Sequence, residues 1–210
     1  MSEEMAINNN VSSSTDLQEA ISANITVRAE LDAIVEVIGY SGCRIIYRQA
    51  GLLNIFENPP EYSFKPCISR SQRAKVYNEV LDLMGFNGAI TIWRRMGYTA
   101  IRCTDEIGHV FDFTKDVLPE EMYLNCLELF SLALGVGNVI RNKDGSVDFE
   151  VSDCFQCEGQ ETKRPMCSLT AGALQYISDK VFGKDVCRVN EKKCKAMGSE
   201  TCYYVLEKRG

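Results

Sequence analysis

The sequence predicts an α+β fold, with N-terminal helices packed on a four-stranded antiparallel sheet. Three observations carry this expectation. Apolar residues recur at helical spacing through about the first 135 residues. After Gly137 the pattern changes to short alternating runs split by turn residues. One further helical stretch then separates two strand pairs, an order that suits an antiparallel sheet with helices on one face.

The elements follow in order. Val27, Leu31, Ile34, Val35 and Ile38 repeat as on a helix that begins near Thr26 and stops at Gly39. Ser41 to Ala50 reads as a second short helix closed by Gly51. Residues 52–68 hold Pro59, Pro60 and Pro66 and read as a loop. Ser69 or Ser71 caps the next helix, whose apolar stripe is Val76, Val80, Leu81 and Met84. After a break at Gly85 to Gly88, Ala89 to Met96 resume as a helix that Gly97 ends, and residues 98–114 read as extended or irregular. Pro119, Glu120 and Glu121 suit the start of a helix that runs to about Leu134.

Asn142-Lys143-Asp144-Gly145 is a turn between extended runs, and Val147, Phe149 and Val151 alternate with Asp148 and Glu150. Leu169, Ala173, Ile177 and Val181 lie four apart on a helix over 168–182. DVCRVNE and TCYYVLE are the final strands. With no internal repeat and no long linker, the chain divides into a flexible arm over 1–20 and a single domain over 21–210. The domain's helical part spans about 21–135, and its sheet and metal clip about 136–207.

Composition narrows the function. A hydrophobic content of 45% with 25% charged residues is that of an ordinary soluble domain. A net charge of −6 speaks against nucleic acid and anionic membranes as partners. No apolar run is long enough to span a bilayer and no signal peptide is visible, so a cytoplasmic location is expected. No dinucleotide fingerprint, phosphate loop or nucleophile elbow is present, so the enzyme question stays open, leaning to no. The single histidine, His109, is too few for most catalytic zinc centres and stands alone as a haem ligand.

The cysteines are informative. Of ten, Cys154, Cys157, Cys167, Cys187, Cys194 and Cys202 crowd into the C-terminal part of the chain. In a protein expected to keep its thiols reduced, such crowding points first to metal binding. Glu191 and Cys194 end one strand, Cys202 starts the next, and Gly198 lets the short connection turn back. Cys167, just before a helix, can supply a fourth donor. Three thiolates and a carboxylate favour Zn2+ over Mg2+ or Ca2+. The spacing equally suits reduced core cysteines with Glu191 on a solvated face. Cys154-Phe-Gln-Cys157 follows a hairpin rather than a βαβ strand, so plain loop cysteines or a second metal knuckle fit it better than redox catalysis.

The segment PMCSLTAGALQYISDKVFGKDVCRVNEKKCKAMGSETCYYVL resembles the vinyl-4-reductase-type (4VR) hydrocarbon-binding domain, and its E-x2-C-x7-C portion is the most specific part. GYSGCRIIYRQAGL, ENPPEY and YNEVLDLMGFNGAITIWRRMG resemble the N-terminal half of stand-alone members. The resemblance spans about residues 30–206. It implies a fold similar to TRAPP small subunits and to sensor domains of aromatic-responsive activators, and structural zinc on Cys167, Glu191, Cys194 and Cys202. Cys187 shares a strand face with Glu191 and competes as a ligand.

The expected function is therefore binding of a small hydrophobic or aromatic molecule in an internal cavity, as a carrier or sensor. Trp93, Met96, Tyr98, Phe111, Phe113 and Phe130 are candidates to line that cavity. A homodimer and a separate effector protein are the expected partners. The alternatives are an accessory, substrate-holding role in tetrapyrrole vinyl reduction, and an assembly or tethering role without ligand.

Overall fold

A computed structural model describes residues 21–112, 117–135 and 137–209. The predicted arm over 1–20 and Phe113 lie outside the described residues.

A short strand, β1 (Ile21–Ala23), leads into α1 (Asn24–Gln49), followed by α2 (Leu53–Glu57) and β2 (Pro66–Ser69). β1 and β2 pair antiparallel. α3 (Arg70–Gly108) and α4 (Pro119–Leu134) complete the helical part. The sheet is formed by β3 (Gly137–Arg141), β4 (Val147–Val151), β5 (Cys187–Lys193) and β6 (Cys202–Lys208), with α5 (Ser168–Phe182) between its two hairpins. Its strand order is β3-β4-β6-β5, and every neighbouring pair is antiparallel. This is the α+β architecture that the pattern predicted.

Local chemistry explains the boundaries. Ser69 opens α3 with a capping box: its hydroxyl accepts from the Gln72 N–H, and the Gln72 side chain accepts from the Ser69 N–H. Pro119 and two acidic residues open α4. Gly39 and Gly85 interrupt α1 and α3 at φ 76° and 63°, values that a side chain disfavours, so both helices kink there. The hairpin at Asn142–Gly145 is held by Asp144, which accepts from the Ser146 N–H, and it sets the Arg141↔Val147 register.

The structure differs from the sequence expectation in two places. Residues 52–68 are not wholly loop, because Phe56 anchors a short helix in the core and β2 pairs with β1. Gly97 does not end a helix, and α3 runs on to Gly108. The reason is tertiary. A Cβ on Gly97 would come within 1.9 Å of the Leu169 carbonyl oxygen, and one on Gly172 within 2.0 Å of the Arg94 carbonyl oxygen. These glycines let α3 and α5 cross backbone against backbone.

α5 lies against both α3 and β5, and α4 packs on β3. Trp93, Tyr47, Phe56, Phe149 and Tyr204 are the largest fully buried side chains, each contributing about 1.5–3 kcal/mol of apolar burial. One end of the sheet, where β4 ends, β5 ends and β6 begins, abuts the start of α5. The cysteines collect there.

Candidate metal centre and adjoining cavity

Each donor has a local reason for its place. Cys167 immediately precedes α5. Cys194 follows β5, and Gly198 at φ 88° turns the chain back toward β6. Cys202 opens β6 opposite Val151, the last residue of β4. The β5–β6 register shifts between Glu191 and Lys193, a bulge that re-aims the end of β5. Beyond β4, a 3-10 turn over Phe155–Cys157 brings Cys154 and Cys157 back to the same point.

The result is a buried group of five thiols. The Cys157 sulfur lies 2.9 Å from that of Cys167, 3.3 Å from Cys202 and 3.6 Å from Cys194. Cys167 lies 3.3 Å from Cys154, 3.6 Å from Cys202 and 3.8 Å from Cys194. Two sets of four donors each fall within 4.8 Å of one another: Cys154, Cys157, Cys167 and Cys202; and Cys167, Glu191, Cys194 and Cys202. The buried cluster can hold a metal ion.

Glu191 is placed as a ligand would be. Its Oε2 accepts from the Cys167 N–H at 2.8 Å, while its buried Oε1 has no partner. Burial, with the negative charge and hydrogen bonding of Cys194, pushes its carboxyl up to about 9. Hydrogen bonds from Cys154, and then from Cys167, Cys194 and Cys202, pull Cys157 down toward the thiolate, and contacts within the same group push Cys167 up. Few negative charges are tolerated in this group unless a cation joins it.

The sequence expectation thus placed Cys167, Glu191, Cys194 and Cys202 where the chain brings them together. It left Cys154 and Cys157 as loop cysteines or a second metal knuckle, apart from this group; the signal that could have joined them to it is the CxxC directly after the strand that pairs with Cys202. Cys187 sits at the far end of β5, paired with Lys208, and lines a separate cavity.

Two cavities flank the Cys154–Cys157 turn and share Ser71, Ala74, Phe155 and Glu158 as walls. The larger, about 520 Å³, reaches Cys154 and Cys157 and is rimmed by Arg70, Asp153 and Lys195. Its charges are engaged: Arg70 pairs with Asp153, and Lys195 donates to the Ser152 carbonyl. The smaller, about 290 Å³, is walled by Tyr77, Leu81, Trp93, Phe155 and Met166, with Gln156 and Gln160 among its polar residues. Tyr77 stacks on Trp93 with centroids 6.0 Å apart and meets Phe155 edge-on at 5.3 Å. A buried network of Glu30, Arg73 and Tyr77 fixes the Tyr77 ring.

Of the six aromatic and methionine candidates, Trp93 lines this smaller cavity. Met96 is fully buried in the core. Tyr98 packs edge-on against Tyr176, and Phe130 lies tilted at 40° against Phe149. Phe111 is buried, with its N–H held by Asp105. Tyr77, Phe155 and Met166 were not legible as lining, because they come from separate segments that only the fold brings together.

The fold defines a class, a helical domain on an antiparallel sheet, similar in architecture to sensory domains of known structure. An H-NOX protein from S. oneidensis aligns with a TM-score of 0.60 at 11% identity, over 90% of this chain and 99% of that one. The phenol-responsive sensory domain of the transcription activator PoxR, solved with phenol, aligns with a TM-score of 0.54 at 16% identity, over 69% and 77%. Within this class, residues 147–208 match the family model of the V-4-R domain, the vinyl-4-reductase-type domain. A 76-residue stretch is 30% identical to an uncharacterized protein of Methanocaldococcus jannaschii, covering 34% of this chain. The matched stretch spans about a third of that relative's length, 32%.

A further H-NOX family structure, studied for heme distortion, aligns with a TM-score of 0.61 at 14% identity, over 90% of this chain and 95% of that one. The chain's single histidine is not placed as an axial haem ligand would be. His109 caps the C-terminus of α3, is exposed, and pairs through Nδ1 with Asp112. Among the described residues, no helix is long and apolar enough to cross a membrane.

Proposed function

We propose that this protein binds a small hydrophobic or aromatic molecule in the 290 Å³ cavity, as a carrier or sensor, beside a structural zinc ion. The observation that carries this reading is the Cys154–Cys157 turn. Its thiols belong to the metal-binding group, while Phe155 and Gln156 between them wall the cavity. The vinyl-4-reductase-type domain match and the fold shared with sensory domains support small-molecule binding or sensing in general.

Cys167, Glu191, Cys194 and Cys202 are the proposed zinc ligands. A Zn–S bond of about 2.3 Å puts sulfurs about 3.8 Å apart in a tetrahedron, close to the 3.6 and 3.8 Å separations of Cys167 from Cys202 and Cys194. The partnerless Oε1 of Glu191 supplies the fourth donor. A site closed by four protein ligands leaves no position for an activated water, so the ion fastens the cavity wall and does no chemistry. The protein acts as a homodimer in the cytoplasm and hands its bound state to a separate effector.

Trp93 is the chain's only tryptophan and lines the cavity. Titration of its fluorescence with toluene and phenol tests the reading. Saturable change is expected, and its absence, with no heat on calorimetric titration, overturns it. Elemental analysis tests the ion: about one equivalent of zinc per chain is expected, and a metal-free folded protein refutes it.

A further inference from the structure

The three proposed zinc thiols have two candidate partners for the fourth position. Cys157 reaches all three: its sulfur lies 2.9 Å from Cys167, 3.3 Å from Cys202 and 3.6 Å from Cys194. Cys167 lies 3.6 Å from Cys202 and 3.8 Å from Cys194, and Cys194 and Cys202 are within 4.8 Å of each other. Cys157, Cys167, Cys194 and Cys202 therefore form a buried four-sulfur set of their own. The other candidate is Glu191, whose Oε2 is tied to the Cys167 N–H while its buried Oε1 has no partner.

The two candidates differ in chemistry. Glu191 offers a hard oxygen and Cys157 a soft sulfur. Either completes a shell of four anionic donors, so net charge does not choose between them. Softness does. Zinc is borderline and bonds carboxylate and thiolate alike, whereas a softer ion gains by exchanging oxygen for sulfur. A Zn–S bond of about 2.3 Å asks for sulfurs about 3.8 Å apart, so the main adjustment falls on the 2.9 Å contact between Cys157 and Cys167. Cys157 ends a short 3-10 turn that borders the cavity of about 520 Å³, which leaves the turn room to move outward.

We propose that the thiol group is a metal site with two alternative shells. Zinc takes Cys167, Glu191, Cys194 and Cys202. A softer, thiophilic divalent ion, with cadmium as the probe, takes Cys157 in place of Glu191. The exchange bonds the ion directly to the turn whose Phe155 and Gln156 wall the smaller cavity. This inference rests on the proposed metal site and adds a second class of ion and its fourth ligand.

The test uses the full chain, stripped of metal under reductant and reloaded with zinc or cadmium. Competition with a chromophoric chelator gives the affinities. In Cys157→Ser cadmium should bind at least about tenfold more weakly while zinc changes by less than about threefold, and in Glu191→Gln the losses should be reversed, since a missing direct ligand costs at least as much as a missing outer-shell partner. Cadmium NMR of the wild type needs no substitution, because its shift separates four-sulfur from three-sulfur, one-oxygen coordination. Four sulfurs are expected, and an oxygen in the shell overturns the inference. Equal losses for the two ions in both variants also overturn it and leave the metal site standing. If both ions follow Cys157 and ignore Glu191, the two-shell inference and the Glu191 assignment fall together. If the chain binds neither ion, the metal site itself falls.

Discussion

The thiol of Cys157, from the turn after β4, lies 2.9 Å from that of Cys167 at the start of α5. That contact joins two donor sets into one group of five thiols and a carboxylate, more donors than one tetrahedral ion takes. The surplus has consequences for which substitutions matter.

Cys157 and Cys154 lie outside the proposed zinc shell. Cys157→Ser is expected to retain about one equivalent of zinc per chain, and Cys202→Ser or Glu191→Gln to lose at least about tenfold in affinity. Competition with a chromophoric chelator measures this. Zinc lost in Cys157→Ser but kept in Glu191→Gln would transfer the fourth position to Cys157.

Zinc uptake should release protons and weaken as pH falls. Without the ion, burial holds the Glu191 carboxyl up to about 9, so it is protonated at neutral pH and must ionise to bind. Because those protons must be displaced on binding, acidification opposes it. An indicator dye in weak buffer reads the released protons directly, and affinity independent of pH between about 6 and 8 would contradict the assignment.

Removing the metal should disturb the ligand cavity. Met166, next to the proposed ligand Cys167, lines the cavity, and Cys157, whose thiol lies 2.9 Å from that of Cys167, belongs to the same turn as the lining residues Phe155 and Gln156. Chelation is expected to lower the melting temperature and to weaken toluene binding by at least about tenfold, by reciprocal linkage between two sites that share an element. Unchanged binding in the stripped protein would separate the two sites.

Gly97→Ala and Gly172→Ala should each destabilise the fold by about 3 kcal/mol, because the added methyl meets a backbone carbonyl that cannot rotate away. Urea unfolding checks this, and a loss below about 1 kcal/mol would show that α3 and α5 can part cheaply.

Asp105 links α3 to α5 and to the segment after α3. It accepts from Tyr176, Lys180 and the Phe111 N–H. Burial alone would raise its carboxyl, but the hydrogen bonds from Lys180, Tyr176 and Phe111 outweigh it and hold the pKa below the ordinary 3.8. A depressed folded pKa means the stabilisation is complete above 3.8 and is lost as pH falls through the lower folded value. Asp105→Asn should therefore be less stable than wild type at neutral pH and approach it in acid, as read by urea midpoints. A constant gap across that range would contradict this role.

The sequence by itself determined the elements and the candidate ligands. Periodicity marked the helices and the hairpins, because burial on one face imposes a period of 3.6 or 2 on the residues themselves. Glu191, Cys194 and Cys202 were legible because a short strand–turn–strand brings near neighbours together. What only tertiary structure decided was anything joining distant segments. Gly97 read as a helix stop because local propensity cannot register that α5 passes against it. Cys154 and Cys157 read as loop cysteines or a separate metal knuckle because their approach to Cys167 depends on β4 pairing with β6. The cavity stayed hidden for the same reason: Tyr77, Trp93, Gln156 and Met166 share a surface only once α3 and the segment beyond β4 are packed together, and no local pattern records that packing.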